Sequence, residues 1–271
     1  QEGNGTVYLS SNSGASWTSI TSSNGLPSGT PAYQSAAISA NGQYILIAIK
    51  GDYLYRSTDY GVTFSQINTA SPQVYLPFDG NTTDIVGGSS SVSVTGSVSY
   101  VTGPITGQAV NIANTAGSTA SNRVTVMYSP GTSFSISGWF NLQSLPSSGN
   151  ATMIATFGSS IQTFVHIAYA NNTNLPTTAY TGLVFYIYDS GNTMYVYSHV
   201  PNILVNTWYH FRWSFPLSGT STLYLNGQLI GSGPGRNLLG TIDRMTIGSV
   251  GHASVNALNG YVDDFRIYNS V

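Results

Sequence analysis

Two segments of this 271-residue chain carry side chains suited to a flat, polar ligand. The first runs from Leu183 to His199. With Ser190-Gly191 as a tight turn, it predicts a hairpin in which Ile187 opposes Met194, Phe185 opposes Val196 and Leu183 opposes Ser198 on a core face. The other face then pairs Tyr186 with Tyr195 and Val184 with Tyr197, with Tyr188 beside them. The second segment is Trp208 to Trp213, where Tyr209, Phe211 and Trp213 share one face and His210 and Arg212 the opposite one. Tyr186, Tyr188, Tyr195, Tyr197, His210 and Arg212 together offer ring faces and hydrogen-bonding groups, the combination a sugar ring needs. The competing reading is plain sheet packing, because tyrosine is favoured in strands for its own sake.

Hydrolytic chemistry finds less support. The close acid pairs are Asp79/Asp84 and Asp263/Asp264, and Glu2 is the only glutamate. A glycosidase needs two carboxylates flanking the scissile bond, whereas these pairs lie at domain edges and the mid-sheet strands carry no glutamate. The histidines, His166, His199, His210 and His252, are scattered and show no metal-ligand spacing. No glycine-rich run follows a strand and opens a helix, so a phosphate cradle is not expected. The expectation is a chain that is not an enzyme.

The elements that must position these groups are strands. The chain is 41% hydrophobic, with 19 tyrosines, yet only 6% charged against roughly 25% in an average domain. With one lysine, Lys50, and a net charge of −2, it lacks the basic stripe that a nucleic-acid partner or an anionic membrane surface would require. No apolar run approaches the roughly 20 residues of a membrane span. Cysteine is absent, which excludes disulfides and thiolate metal sites. The start at Gln1 reads as a processed or visible portion of a longer protein. Sequons begin at Asn4, Asn81, Asn150 and Asn171, and they matter only if the chain is secreted by a eukaryote.

Residues 1–70 contain an internal repeat. Ser10 to Trp17 and Ser57 to Phe64 share Ser-x-(Asp/Asn)-x-Gly-x-(Ser/Thr)-aromatic, each after a short strand. Asn12 and Asp59 suit turn caps, Gly14 and Gly61 allow positive φ, and Trp17 and Phe64 pin the hairpins. The pattern resembles the Asp-box of sialidases and other β-propellers. Two further strands between the copies, joined at Asn41-Gly42, give one four-stranded blade and the outer half of a preceding one. A propeller needs several blades, so this segment is an incomplete propeller-type piece whose raw edges call for upstream residues, another copy or a partner.

After Ser71-Pro72-Gln73, strands are expected near 109–112, 123–127, 134–141, 153–157, 162–168, 183–188, 194–199, 208–215, 222–225, 244–247 and 262–268. Flat, weakly specified strands are expected between Val86 and Tyr100. Phe78-Asp79-Gly80, Gly138-Trp139, Trp208-Tyr209-His210 and the closing run Val262 to Tyr268 occur in the order seen in laminin-G-like domains. Residues 74–271 thus resemble the concanavalin A-like lectin/glucanase jelly roll. The resemblance implies an all-β, two-sheet antiparallel sandwich. It also implies a structural calcium held by Asp79, Asp84 and Asp263; the alternative is that Asp79 and Asp84 cap turns and Asp263 pairs with an amide or arginine. The function expected is a non-catalytic, lectin-like, glycan-binding protein of an extracellular or virion surface. The alternatives are a purely structural self-assembling module, and the C-terminal lectin portion of a sialidase-like hydrolase.

Overall fold

Strand alternation, rather than any helical period, organises this chain throughout, and the computed structural model is all-β. It describes residues 6–29, 31–49, 54–67, 71–86, 90–105, 107–159, 163–175, 178–189, 193–238, 242–250 and 256–270. The chain divides into two compact units, Gln1–Ala70 and Ser71–Val271.

In the first unit, β1 (Val7–Leu9) and β2 (Thr18–Ile20) form a hairpin. β3 (Tyr33–Ile38), β4 (Ile45–Ile49), β5 (Leu54–Ser57) and β6 (Ser65–Ile67) form a four-stranded antiparallel sheet in that order. Each Ser-x-(Asp/Asn)-x-Gly turn is closed by the same bonds. The Gly14 amide donates to Ser10 Oγ and the Ser16 amide to Asn12 Oδ1, at 2.8 and 2.9 Å. The Gly61 amide donates to Ser57 Oγ and the Thr63 amide to Asp59 Oδ1, again at 2.8 and 2.9 Å. Both turns place two successive residues at positive φ, Ser13-Gly14 and Tyr60-Gly61, which explains the invariant glycine of the repeat. Hydrogen bonds from Thr63 and Ser57 draw the Asp59 carboxyl down to about 2. Val7, Leu9 and Ile20 of the hairpin pack with Ile45, Ile47 and Tyr55 of the sheet and with Phe64 just before β6.

The second unit is a sandwich of β7 (Val74–Leu76), β8 (Ser91–Thr95), β9 (Ser99–Thr102), β10 (Gln108–Ile112), β11 (Arg123–Met127), β12 (Phe134–Leu142), β13 (Asn150–Gly158), β14 (Thr163–Asn174), β15 (Ala179–Tyr188), β16 (Met194–Val200), β17 (Trp208–Phe215), β18 (Thr220–Leu225), β19 (Gln228–Pro234), β20 (Arg244–Ile247) and β21 (Gly260–Tyr268). One sheet has the order β19-β18-β17-β12-β21-β10-β9, with β7 also on β21; the other has the order β16-β15-β14-β13-β20-β11-β8. Alternate residues of each strand meet between the sheets. Phe134, Ile136 and Phe140 of β12, Phe211 and Trp213 of β17, Val262 and Phe265 of β21, and Phe157 and Phe185 from the facing sheet form one continuous core.

A bulge interrupts the central pair β12–β21. Ser137 faces Arg266 but Trp139 faces Asp263, so Asp264 and Phe265 stand opposite Gly138. A Cβ on Gly138 would lie 2.9 Å from Phe265 Cδ2, so the bulge requires glycine there. Two departures from the sequence expectation follow similar local physics. The edge strand β19 lies in Gly- and Ser-rich sequence that reads as a loop. β14 runs on to Asn174 past a register shift between Asn171 and Thr173.

The register of the β15–β16 hairpin is the main correction. Tyr188 faces Met194, Ile187 faces Tyr195 and Tyr186 faces Val196, one residue away from the expected pairing; past a bulge, Phe185 faces Ser198. A one-residue slip exchanges faces. Tyr195 and Tyr197 therefore pack on the core side, while Tyr186 and Tyr188 lie on the other face. The proposed Tyr186–Tyr195 pair does not form. Its turn, Ser190-Gly191, lies outside the described residues, as do Glu2, Lys50 and His252.

Candidate functional site

The six side chains nominated for a sugar platform fall in three places. Tyr186 is 3% exposed and stacks on His166 with ring centroids 4.4 Å apart, Tyr188 meeting the same imidazole edge-on. Burial drives the Tyr186 phenol well above its usual range. That face is partly roofed by the segment after β20: Thr156 Oγ1 donates to Ser249 O, Thr152 Oγ1 to Ala257 O, and the Met153 amide to Asn256 O. Tyr186 is thus a packing residue rather than a platform.

Tyr195 and Tyr197 line the seam where β16, the edge of one sheet, meets β19, the edge of the other. The Arg236 guanidinium sits 3.3 Å over the Tyr195 ring, and Tyr197 donates its hydroxyl to Pro234 O at 2.6 Å.

His210 and Arg212 take the third place, on the face of the eight-stranded sheet turned away from the core. Here cross-strand registers build rows of polar and aromatic groups. Trp139 lies between His210 and Asp263, and its ring centroid is 5.0 Å from the imidazole. Asn141 lies between Trp208 and Tyr261, whose rings are 6.2 Å apart. Ser137 lies between Arg212 and Arg266; Arg212 faces Tyr224, and Arg266 faces Tyr75. Arg266 donates to Asp264 Oδ1 at 2.7 Å and its guanidinium lies 4.3 Å over the Tyr75 ring. Arg212 is exposed, and Trp139, Trp208, His210, Tyr224 and Tyr261 are half-buried. Partial burial lowers the His210 pKa, opposed by Asp264 and reinforced by Arg266 and Arg212. The lowered pKa favours the neutral, donor-and-acceptor form of this imidazole at neutral pH.

Sequence reasoning found His210 and Arg212 but not their partners Trp139, Trp208 and Tyr261. The signal was present: Trp208 has the same parity as His210 and Arg212, and Trp139 has the parity opposite to the core residues Phe134, Ile136 and Phe140 of its own strand.

The three nominated acids do not form one centre. Asp84 accepts the Tyr75 and Val86 amides, at 2.9 and 3.1 Å, and the Ser90 hydroxyl, and so caps the loop after β7. Asp79 accepts the Gln108 amide at 2.7 Å. Asp263 is buried at 4% exposure and accepts the Asp264 amide at 2.8 Å. Burial, then the negative charges of Asp264 and Asp79, push its carboxyl up to about 7. Two non-glycine residues at positive φ, Phe78 and Asp264, adjoin these two carboxylates in the chain. Among the described residues no three His, Cys, Asp or Glu side chains converge as a metal set. The donors that act on one another are Asp79 and Asp263, and any further oxygens would be backbone or solvent.

The raised Asp263 pKa has a defined sign. A carboxyl that binds its proton more tightly when folded stabilises the fold below the ordinary carboxylate pKa, and that contribution is lost as pH rises through about 7. In chelator, the melting temperature should therefore fall between pH 4 and pH 8, and Asp263→Asn should remove most of the fall. An unchanged slope in the variant would contradict this account of Asp263.

By sequence, none of the curated proteins matches the chain. By structure, it is similar to domain 4 of AbnA, a GH43 extracellular arabinanase from Geobacillus stearothermophilus in complex with arabinotriose, at 20% identity and TM-score 0.54 over 73% of this chain and 92% of that one. It is also similar to the binding domain of botulinum neurotoxin DC in complex with SialylT, at 19% identity and TM-score 0.54 over 75% of this chain and 48% of that one. The binding domain of Paraclostridial Mosquitocidal Protein 1 is matched at 19% identity and TM-score 0.55, over 74% and 49%. The chain thus spans about half the length of these toxin chains, and the likeness at such identities is one of fold. The profile of the concanavalin A-like lectin/glucanases superfamily, Laminin_G_3, matches residues 106–271, and the chain belongs to that family.

Proposed function

We propose that this chain is a non-catalytic, lectin-like protein that binds glycan through the outer face of its eight-stranded sheet. The observation that carries the reading is the Trp139–His210 pair with exposed Arg212 beside it, flanked by Trp208 and Tyr261. Indole faces take the apolar side of a sugar ring, while His210 and Arg212 supply hydrogen bonds to hydroxyls. The arabinotriose complex of the arabinanase domain and the SialylT complex of the toxin domain support a carbohydrate as the ligand class. Against catalysis, Asp263 and Asp264 are consecutive residues and Asp264 is committed to Arg266, so these two do not flank a glycosidic bond.

The same reading places the two hydrogen-bonded turns of the first unit as Asp-boxes of a propeller-type segment, with Asn12 and Asp59 as their caps. On this reading Asp79 and Asp263 would hold a calcium ion, whose charge would relieve their mutual repulsion. The low lysine content and the Ser-, Thr- and Asn-rich surface favour an extracellular or virus-particle setting.

A glycan array of the full chain tests this function. Wild type should bind a defined set of saccharides, and Arg212→Ala with His210→Ala should weaken binding by at least about tenfold, each lost hydrogen bond being worth on the order of 1 kcal/mol. Tyr186→Phe should bind as wild type does. An array on which wild type binds nothing would leave the scaffold reading in its place.

A further inference from the structure

Cross-strand registers place two arginines in one row on the outer face of the eight-stranded sheet. Tyr75 of β7 faces Arg266 of β21, Arg266 faces Ser137 of β12, Ser137 faces Arg212 of β17, and Arg212 faces Tyr224 of β18. The two guanidiniums differ in what occupies them. Arg266 donates to both oxygens of Asp264, at 2.7 and 3.0 Å, and lies over the Tyr75 ring. Elsewhere in the unit, Arg236 and Arg244 pair with Asp189 and Asp243, at 3.8 and 2.8 Å. Arg212 is exposed, and among the described residues it has no ion pair. No acid close by cancels its charge: Asp264 is taken by Arg266, and Asp263 is buried and lies in the adjacent row, opposite Trp139.

We propose that this face selects an acidic saccharide, with Arg212 taking the carboxylate of a sugar whose ring rests on Trp139. The inference rests on the glycan reading of the face and names the chemistry of its ligand. A guanidinium presents a planar fork that matches a carboxylate with two parallel hydrogen bonds. An exposed ion pair alone is worth little, so the ring must be held beside it. Trp139 supplies that place. It faces His210, which is two residues from Arg212 on the same face of β17, and such diagonal neighbours on adjacent strands lie roughly 7–8 Å apart. A ring stacked on the indole therefore brings its carboxylate to the guanidinium. The charge count decides against a polyanion. Arg212 is a single uncompensated cation on a chain with one lysine and a net charge of −2, whereas a heavily sulfated polysaccharide needs a basic stripe.

The probes are oligosaccharides ending in a hexuronic acid or in a sialic acid, each beside its methyl ester, with sulfated and neutral hexose oligosaccharides for comparison. They are titrated into the full chain by calorimetry, and the two acid arms tell the two kinds of carboxylated sugar apart. Wild type should bind at least one acid about tenfold or more tightly than its ester, a difference that shrinks as salt rises. Arg212→Gln should remove the difference, and Arg212→Lys should keep part of it, because an ammonium retains the charge but not the fork. Arg244→Gln makes the same change in net charge at another place and should keep the difference in full. Equal binding of acid and ester by wild type, tighter binding of the sulfated sugar, or a preference that survives in Arg212→Gln would overturn the proposal while saccharide binding itself stands. Binding of no saccharide of any kind would overturn it together with the glycan reading.

Discussion

Trp213→Ala is expected to destabilise the sandwich by about 4 kcal/mol, in the middle of the range for truncating a buried aromatic. The indole is fully buried, its ring centroid 4.5 Å from Phe215, 5.6 Å from Phe185 and 5.6 Å from Tyr197, and its N–H donates to Ser221 Oγ at 3.2 Å. It joins β17 to β15 and β16 of the facing sheet, so truncation opens a void where both layers meet. For a unit of this size the melting temperature should fall by about 10 °C. Trp17→Ala, on an exposed side chain, should move the sandwich transition little. Near-ultraviolet circular dichroism follows the effect, and a fall below about 3 °C would mean the interior collapses around the gap.

Gly231→Ala should have the next largest effect, because the obstacle it meets is backbone. A Cβ there would stand 2.3 Å from the Tyr197 carbonyl oxygen and 3.1 Å from Ser198 Cβ. This is the seam that joins the free edges of the two sheets, held by Ser198 Oγ donating to Ile230 O at 3.0 Å and by the Tyr197 hydroxyl bond to Pro234. Relief requires β16 and β19 to part, at a cost of about 3 kcal/mol, the upper end for overpacking. Amide hydrogen exchange should quicken in Met194–Val200 and Gln228–Pro234 together, ahead of the rest of the sandwich. If the two strands keep wild-type protection, the seam is not a close backbone contact.

These glycines show why the sequence is legible in some elements and opaque in others. β12 and β17 alternate strictly enough that their faces follow from side-chain parity, and His210 and Arg212 are found that way; β21 changes parity at its bulge, so Val262 and Phe265 both face the core. β19 is hidden because Gly231, Ser232 and Gly233 serve a close approach between strands, which local pattern reports as a turn. The β15–β16 pairing is hidden because its register depends on a turn geometry and a bulge at Phe185–Tyr186, and alternation is blind to a shift of one. The tyrosines were read as a platform for that reason; two are seam and two lie on a partly roofed face. The acids were nominated by motif, and the structure separates Asp84, a loop cap, from the Asp79 and Asp263 pair. Trp139 faces outward beside His210 by the plain alternation of β12, so parity alone identifies it; the bulge opposite Gly138 changes the faces of β21 instead.

The most direct measurement is the indole N–H region of a heteronuclear correlation spectrum, in which the four tryptophans give four assignable signals. Addition of a saccharide that the chain binds should shift the Trp139 and Trp208 signals and leave Trp213, sealed in the core, and Trp17, in the other unit, where they were. Bound saccharide with Trp139 and Trp208 unmoved would place the ligand elsewhere and contradict the outer-face account.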